Sequence, residues 1–205
     1  MRNTRNGVWL KKVFISIFVM GCIFSQTLVA DEQADLKKHF LHLIDKITLI
    51  VKDKTLSKEI RNTNIVDVLT PTFDFELMAK LSLGKRWKQL SKEDRKRFIT
   101  LYVKRMEQSY SSKLDSYSDE KVEIKELLQP KKNRIILITD LVNKDEKLEI
   151  KYKFYKPKKQ KKYKDTWLIY DVEILGISIL KADKAQFKEF LRTKTIHELM
   201  DVLVK

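Results

Sequence analysis

The sequence is short of the residues that staple, break or react. A single cysteine, Cys22, excludes an intrachain disulfide. Four glycines and three prolines in 205 residues exclude a collagen-like, Pro-rich or Gly/Ser-rich chain and favour continuous secondary structure. No nucleophile elbow, P-loop, dinucleotide fingerprint or zinc spacing is present, so no cofactor is implied. Of the three histidines, His39 and His42 sit three apart near Asp35 and Asp45. They lack further ligands of the right type and read as a polar helix edge; His197 is isolated. No catalytic residue and no metal ligand is assigned. Acidic residues are also in deficit, 28 against 43 lysines and arginines, for a net charge of +15.

What is present begins with a leader. Arg2, Arg5, Lys11 and Lys12 form a positive n-region, Val13 to Phe24 an apolar h-region, and Ser25 to Ala30 a polar, small-residue approach to a cleavage point after Ala30. Two alternatives stay open. Val13 to Ala30 is at the lower length limit of a membrane anchor, and Val19-Met20-Gly21-Cys22 resembles a lipoprotein processing box. Ser25, Gln26 and Thr27 argue against the anchor, and the apolar residues after Cys22 argue against lipidation. An exported chain rarely meets nucleic acid, so the positive charge points elsewhere. Residues 31–205 then form one domain with 39 basic and 28 acidic residues, a net charge of +11. At this length a core buries about 70% of the unfolded surface without staples.

The first part of that domain reads as helical. Leu36, Phe40, Leu43, Ile44, Ile47, Ile50 and Val51 make one apolar stripe. A second helix is predicted from Lys58 to Leu69, ending before Pro71. A third, capped by Asp74 or Thr72, runs to Leu83 with Gly84 at its end. Ser91 and Asp94 resemble a capping box opening a long fourth helix, with Phe98, Leu101, Tyr102, Met106, Tyr110 and Leu114 inward. After Tyr117 the period becomes two. Lys121 to Leu128, Asn133 to Val142, Lys147 to Tyr155 and Thr166 to Leu175 are predicted strands, too close together for crossover helices and therefore antiparallel. Helices starting near Asp183 and Thr195 close the chain. The expected fold class is α+β: N-terminal helices, a four-stranded meander, C-terminal helices.

Asp140 and Asp171, on or beside strands, are candidate acids for a cavity enzyme of a cone-shaped α+β type. Their plainer role is hydrogen bonding at strand ends and turns. The run Lys156-Pro157-Lys158-Lys159-Gln160-Lys161-Lys162-Tyr163-Lys164 reads as a solvated hairpin loop. Its alternative is an electrostatic contact with an anionic membrane surface or acidic partner, where each lysine contributes about 1 kcal/mol and is sensitive to salt.

Two segments are more specific. Phe73-Asp74-Phe75-Glu76-Leu77-Met78-Ala79 runs through Leu83-Gly84-Lys85-Arg86-Trp87 into Asp94-Arg95-Lys96-Arg97-Phe98. Later comes Trp167-Leu168-Ile169-Tyr170-Asp171-Val172-Glu173-Ile174-Leu175-Gly176-Ile177-Ser178. Together they resemble the MlaC family of periplasmic phospholipid-binding proteins, also known as toluene-tolerance auxiliary components of an ABC transporter. Leu175 departs from the small or acidic residue usual before the late glycine, and the hairpin after the third strand is unusually lysine-rich.

The resemblance implies a non-enzymatic periplasmic carrier that moves glycerophospholipid between outer- and inner-membrane complexes and so maintains outer-membrane lipid asymmetry. Its partners would be a phospholipid ligand, an inner-membrane ABC transporter complex, an outer-membrane lipoprotein/porin complex and, transiently, a membrane surface. Acyl chains would occupy an apolar cavity between sheet and helices. From the helices the candidate lining is Phe75, Met78, Leu81, Tyr102, Met106 and Tyr110. From the strands it is Ile136, Ile138, Ile150, Tyr152, Phe154, Trp167, Ile169 and Ile174. The methionines suit variable chains, and the aromatics offer apolar walls with polar tips. An alternating strand looks the same over a filled core and over a lipid tail, so core and cavity remain unseparated here. A cavity enzyme and a basic adaptor without lipid remain the alternatives.

Overall fold

The computed structural model describes residues 31–114 (110–114 as backbone alone), 121–143, 146–161 and 165–203. The chain divides into two units, Met1–Leu41 and His42–Lys205. The leader and Cys22 lie outside the described residues. Described residues 31–41 of the first unit are helical and belong to helix α1 (31–52). In the second unit the α1 stripe continues through Leu43, buried, and Ile44, Ile47, Ile50 and Val51, half-buried.

Local chemistry sets the remaining helix ends. The Ser57 hydroxyl accepts from the Ile60 amide at 3.3 Å and opens α2 (Lys58–Leu69), which stops ahead of Pro71. The Asp74 carboxylate accepts from the Leu77 amide at 3.1 Å and opens α3 (Phe75–Leu83). Gly84, at φ 55°, ends α3 and starts a 3-10 segment, Gly84–Gln89. A residue with a Cβ is strained at that angle. Ser91 accepts from the Asp94 amide at 3.0 Å and donates back to the Asp94 carboxylate at 2.9 Å, at the head of α4 (Lys92–Leu114).

The strands are β1 (Lys121–Lys131), β2 (Arg134–Asn143), β3 (Glu146–Tyr155), β4 (Leu168–Ile174) and β5 (Ile177–Ser178). They form one antiparallel meander in chain order. The α+β class stands as expected, with five strands among the described residues rather than four. β5 is two residues long, below what a period-2 pattern can reveal. It is joined to β4 by a two-residue turn in which Leu175 (φ 49°) and Gly176 (φ 80°) are both left-handed, the signature of a type I′ hairpin. Leucine there costs about 1 kcal/mol. At the opposite edge β1 contains Pro130 and loses register between Ile124 and Glu126 and again between Leu128 and Lys131.

Helix α5 (Ile179–Phe190) begins earlier than the Asp183 start predicted, because Ser178 caps it by accepting from the Lys181 amide at 3.0 Å. Helix α6 (Ile196–Leu203) opens on a reciprocal box. The Glu198 amide donates to Thr195 Oγ1 at 3.2 Å, and the Thr195 amide donates to Glu198 Oε2 at 2.8 Å. No helix among the described residues is long and apolar enough to cross a membrane.

Helix α3 packs on α4, α5 and β4, α5 also packs on β4, and α2 and α6 pack on α4. Between α4 and α5 the rings of Phe98, Tyr102 and Phe187 meet at centroid distances of 5.9 to 6.3 Å. Beside them the buried Asp183 carboxylate accepts from the Tyr102 hydroxyl at 2.7 Å and from Arg105 Nη1 at 2.8 Å. Removing the carboxylate strands two donors. Asp183→Ala is expected to cost about 3 kcal/mol and lower the thermal midpoint by roughly 10 °C, measured by calorimetry. The combined change Asp183→Leu, Arg105→Met and Tyr102→Phe, which removes both donors with the acceptor, should recover most of that loss.

Candidate functional site

Residues opposite one another in an antiparallel ladder share a face. The register therefore sorts the side chains of β1 to β4. One face carries the rows Ile135–Phe154–Ile169, Leu127–Leu137–Tyr152–Val172, Ile124–Thr139–Ile150–Ile174 and Val122–Leu141–Leu148. It is apolar apart from Thr139 and the Tyr152 hydroxyl. The other face carries Glu123, Asp140 and Glu149, then Glu126, Ile138, Lys151 and Glu173, then Leu128, Ile136, Lys153 and Asp171.

Burial of the apolar face falls along the strands. Ile135, Phe154 and Ile169 are all buried. In the next row Leu137 and Val172 are buried, but Leu127 and Tyr152 only half so. In the third only Thr139 is buried, and Val122, Leu141 and Leu148 in the last row are all half-buried. The face is thus closed at the end bearing the β1–β2 and β3–β4 connections and progressively uncovered toward the β4–β5 turn. Leu175 and Ile177, at that turn, are 66% and 67% exposed.

The opposite face is a lattice of ion pairs. Lys153 Nζ reaches Glu173 at 2.8 Å and Asp171 at 2.9 Å. Lys151 bridges Glu149 and Glu173 at 3.2 and 3.6 Å, and Lys125 bridges Glu149 and Asp140 at 3.0 and 3.4 Å. Burial alone would lower the Lys153 pKa, but its bonds to Glu173 and Asp171 outweigh this and hold it above the ordinary lysine value. The same lysine's hydrogen bond holds Glu173 below the usual carboxylate range. Asp171 also accepts from the Ser178 hydroxyl at 2.8 Å and the Leu180 amide at 3.1 Å, so it anchors the start of α5. Both candidate acids, Asp140 and Asp171, therefore lie on the charged face in ion pairs. They do not share the apolar one.

The candidate lining residues separate into groups. Ile150, Tyr152, Phe154, Ile169 and Ile174 share the apolar face. Ile136 and Ile138 lie on the charged face, opposite Lys153 and Lys151; their neighbours Ile135 and Leu137 take the apolar positions. Tyr102 is wholly buried in the α4–α5 core, with its hydroxyl committed to Asp183. Met78 and Met106 are buried, and Phe75 stacks on Phe73 at 5.1 Å. Leu81 points outward, 37% exposed. Trp167 is buried at the closed end under Lys156, whose Nζ is 5.8 Å from the ring centroid. The side chain of Tyr110 lies outside the described residues. No group of three or more metal-ligating side chains occurs among the described residues.

The lysine run is partly engaged. Lys161 Nζ lies 2.8 Å from Asp74 and 3.6 Å from Glu76, and the Tyr155 hydroxyl donates to the same buried Asp74 carboxylate. Burial, with the neighbouring carboxylate second, pushes the Tyr155 phenol well above its ordinary pKa. Beside it the Arg134 guanidinium stacks over Tyr155 and Tyr170 at 5.1 and 4.8 Å. Residues 162–164 lie outside the described residues. Sequence reasoning missed Ile135, Leu137 and this Asp74 cluster. β2 is apolar on both faces, so its parity was unreadable, whereas the alternation of β3 combined with pairing could have supplied it.

The lowered pKa of Glu173 fixes a sign. A carboxylate with a depressed folded pKa contributes stability above its unfolded value, about 4.3, and loses it as pH falls through the folded value. Glu173→Gln is expected to reduce stability at neutral pH. Its deficit should shrink as urea unfolding is repeated at progressively lower pH through that window; a deficit constant with pH would refute the assignment.

The family model described as MlaC protein matches residues 41–205. No curated protein matches at a significant level. Among solved structures, the chain is similar to a phospholipid-binding protein from Ralstonia solanacearum, solved in complex with a phospholipid. The TM-score is 0.69 at 19% identity, over 83% of this chain and 93% of that one. The match covers the Asp74 helix, the graded sheet and both closing helices, and the chain belongs to the MlaC family.

Proposed function

We propose that this chain is a non-enzymatic carrier that binds a glycerophospholipid by its acyl chains. The observation that carries this reading is the graded apolar face, filled at one end and half-exposed at the other. A filled core has no reason to leave Ile124, Leu127, Leu148, Ile150, Tyr152 and Ile174 only partly covered across neighbouring strands. MlaC membership supports the reading, as does the fold shared with a protein solved in complex with a phospholipid. The acyl chains would lie along Leu137, Ile150, Tyr152 and Ile174, with the headgroup toward the uncovered end.

Each CH₂ moved from water to such a surface contributes about 0.8 kcal/mol. Binding two tails is therefore easily driven, and release is the harder step. Release requires a partner or membrane that favours a more open state. With the leader removed after Ala30, the carrier would work in the periplasm as a single domain. There it would exchange lipid with an inner-membrane ABC transporter complex and an outer-membrane lipoprotein/porin complex, maintaining lipid asymmetry. The carboxylates that a cavity enzyme needs, Asp140 and Asp171, are held in ion pairs on the opposite face.

The two faces make a paired test. Native mass spectrometry of the protein purified from cells should show a bound phospholipid. Ile150→Lys, on the apolar face, should lose it. Ile136→Glu, on the charged face opposite Lys153, should keep it while remaining folded. Wild-type protein without extractable lipid would overturn the carrier reading.

A further inference from the structure

We propose that the β4–β5 turn is a membrane-contacting tip, inserting Leu175 and Ile177 into the surface of a lipid bilayer at the mouth of the apolar face. This inference rests on the carrier reading and adds where that carrier meets the membrane.

Three features converge on the turn. First, Leu175 and Ile177 are both about two-thirds exposed, and a Cβ built on Gly176 between them would meet nothing within 4 Å. The Leu175 amide donates to the Glu149 carbonyl at 3.1 Å and holds the turn on β3, while the side chains at the tip face open space. Second, Leu175 occupies a left-handed conformation that Asn or Gly adopts more easily. Its side chain, two-thirds exposed, recovers little of that strain by packing. Folding therefore does not account for a leucine at this place. Third, Ile177 pairs with Ile174, which belongs to the row Ile124–Thr139–Ile150. The tip thus continues the apolar face at the end where its burial falls away. An acyl chain moving between bilayer and sheet could remain in apolar contact along this path.

A bilayer fits the tip better than a protein partner does. Stable protein interfaces draw on about 20 to 30 residues a side, whereas the tip offers two apolar side chains on a narrow turn. Shallow insertion requires only a few such residues. The charge distribution also distinguishes this contact from electrostatic adsorption. At this end of the sheet the exposed Lys121 and Lys147 are accompanied by the exposed Glu123 and Glu146. The described lysines of the 156–161 run lie at the opposite end, after β3. Contact through the tip should therefore depend little on anionic lipid or salt.

The test uses the mature chain and vesicles of pure phosphatidylcholine, with flotation measured at about 0.1 M and about 1 M salt. Over that range screening shortens from about 10 Å to about 3 Å. Wild-type protein is expected to float with the vesicles at both salt concentrations. Leu175→Asn combined with Ile177→Thr should lower partitioning roughly tenfold, and Lys158→Glu with Lys159→Glu should leave it unchanged. Leu175→Asn alone should raise the thermal midpoint by relieving backbone strain, which separates lost contact from lost folding. The inference is overturned if the tip variant partitions like wild type, if binding vanishes at high salt, or if wild-type protein ignores the vesicles; the last result would leave the tip to a protein partner. Native mass spectrometry of the same samples keeps the two readings apart. Lipid retained in wild type and tip variant supports the carrier whatever the flotation shows, and wild type without lipid removes the carrier reading.

Discussion

The β2–β3–β4 register is the constraint on which the second unit depends. A one-residue slip in a sheet exchanges its two faces. Here it would drive Lys151 and Lys153 into the apolar rows and bring Ile150 and Tyr152 among carboxylates. The lattice of Lys125, Lys151 and Lys153 with Asp140, Glu149, Asp171 and Glu173 opposes such a slip. Exposed ion pairs individually contribute little to stability. Their value here is positional, because each lysine finds two carboxylates only when the strands are aligned as observed.

Two buried aspartates join this sheet to the helices. Asp171 links Lys153 on β3 to the Ser178 cap and the first turn of α5. Asp74 caps α3 while receiving the Tyr155 hydroxyl from the end of β3 and Lys161 from the loop beyond. Nearby the chain makes backbone bonds with β4: the Ile169 amide donates to Thr72 at 2.8 Å, and the Asp74 amide donates to Ile169 at 2.9 Å. The helix layer is therefore fixed firmly at β4. The half-buried surface over β1 and β3 lies beyond these anchors.

Much of this was legible where one residue type has one reading. Ser91 and Thr195 were read as helix starts and satisfy the free amides of a first turn. Of the two residues read for α3, Asp74 rather than Thr72 is the cap, and the Ser57 cap of α2 was not read. In β3 the sequence itself alternates Leu148, Ile150, Tyr152 and Phe154 with Lys147, Glu149, Lys151 and Lys153, and the pairing puts the first four on one face. β2 was not legible, because Ile135, Ile136, Leu137 and Ile138 are all apolar and only pairing with β3 assigns them. Tyr102 was legible as inward on α4, but the partner of its hydroxyl was not, since Asp183 is 81 positions away. The lysine run looked uniformly solvated, yet Lys161 is paired with a carboxylate far back in the chain. Long-range polar pairing leaves no local periodicity to detect.

The interrupted outer strand has a consequence for how the protein behaves in a crowd. A sheet with a partly uncovered apolar face invites stacking, and a regular free edge would let such stacks grow by strand addition. β1 ends that possibility on its side. Pro130 lacks an amide to donate, and two register shifts break the straight row of groups that another strand would follow. At the opposite edge β5 is too short to act as a template. Among the described residues, apolar exposure and edge pairing are therefore separated in space, and neither edge offers another strand a long regular template.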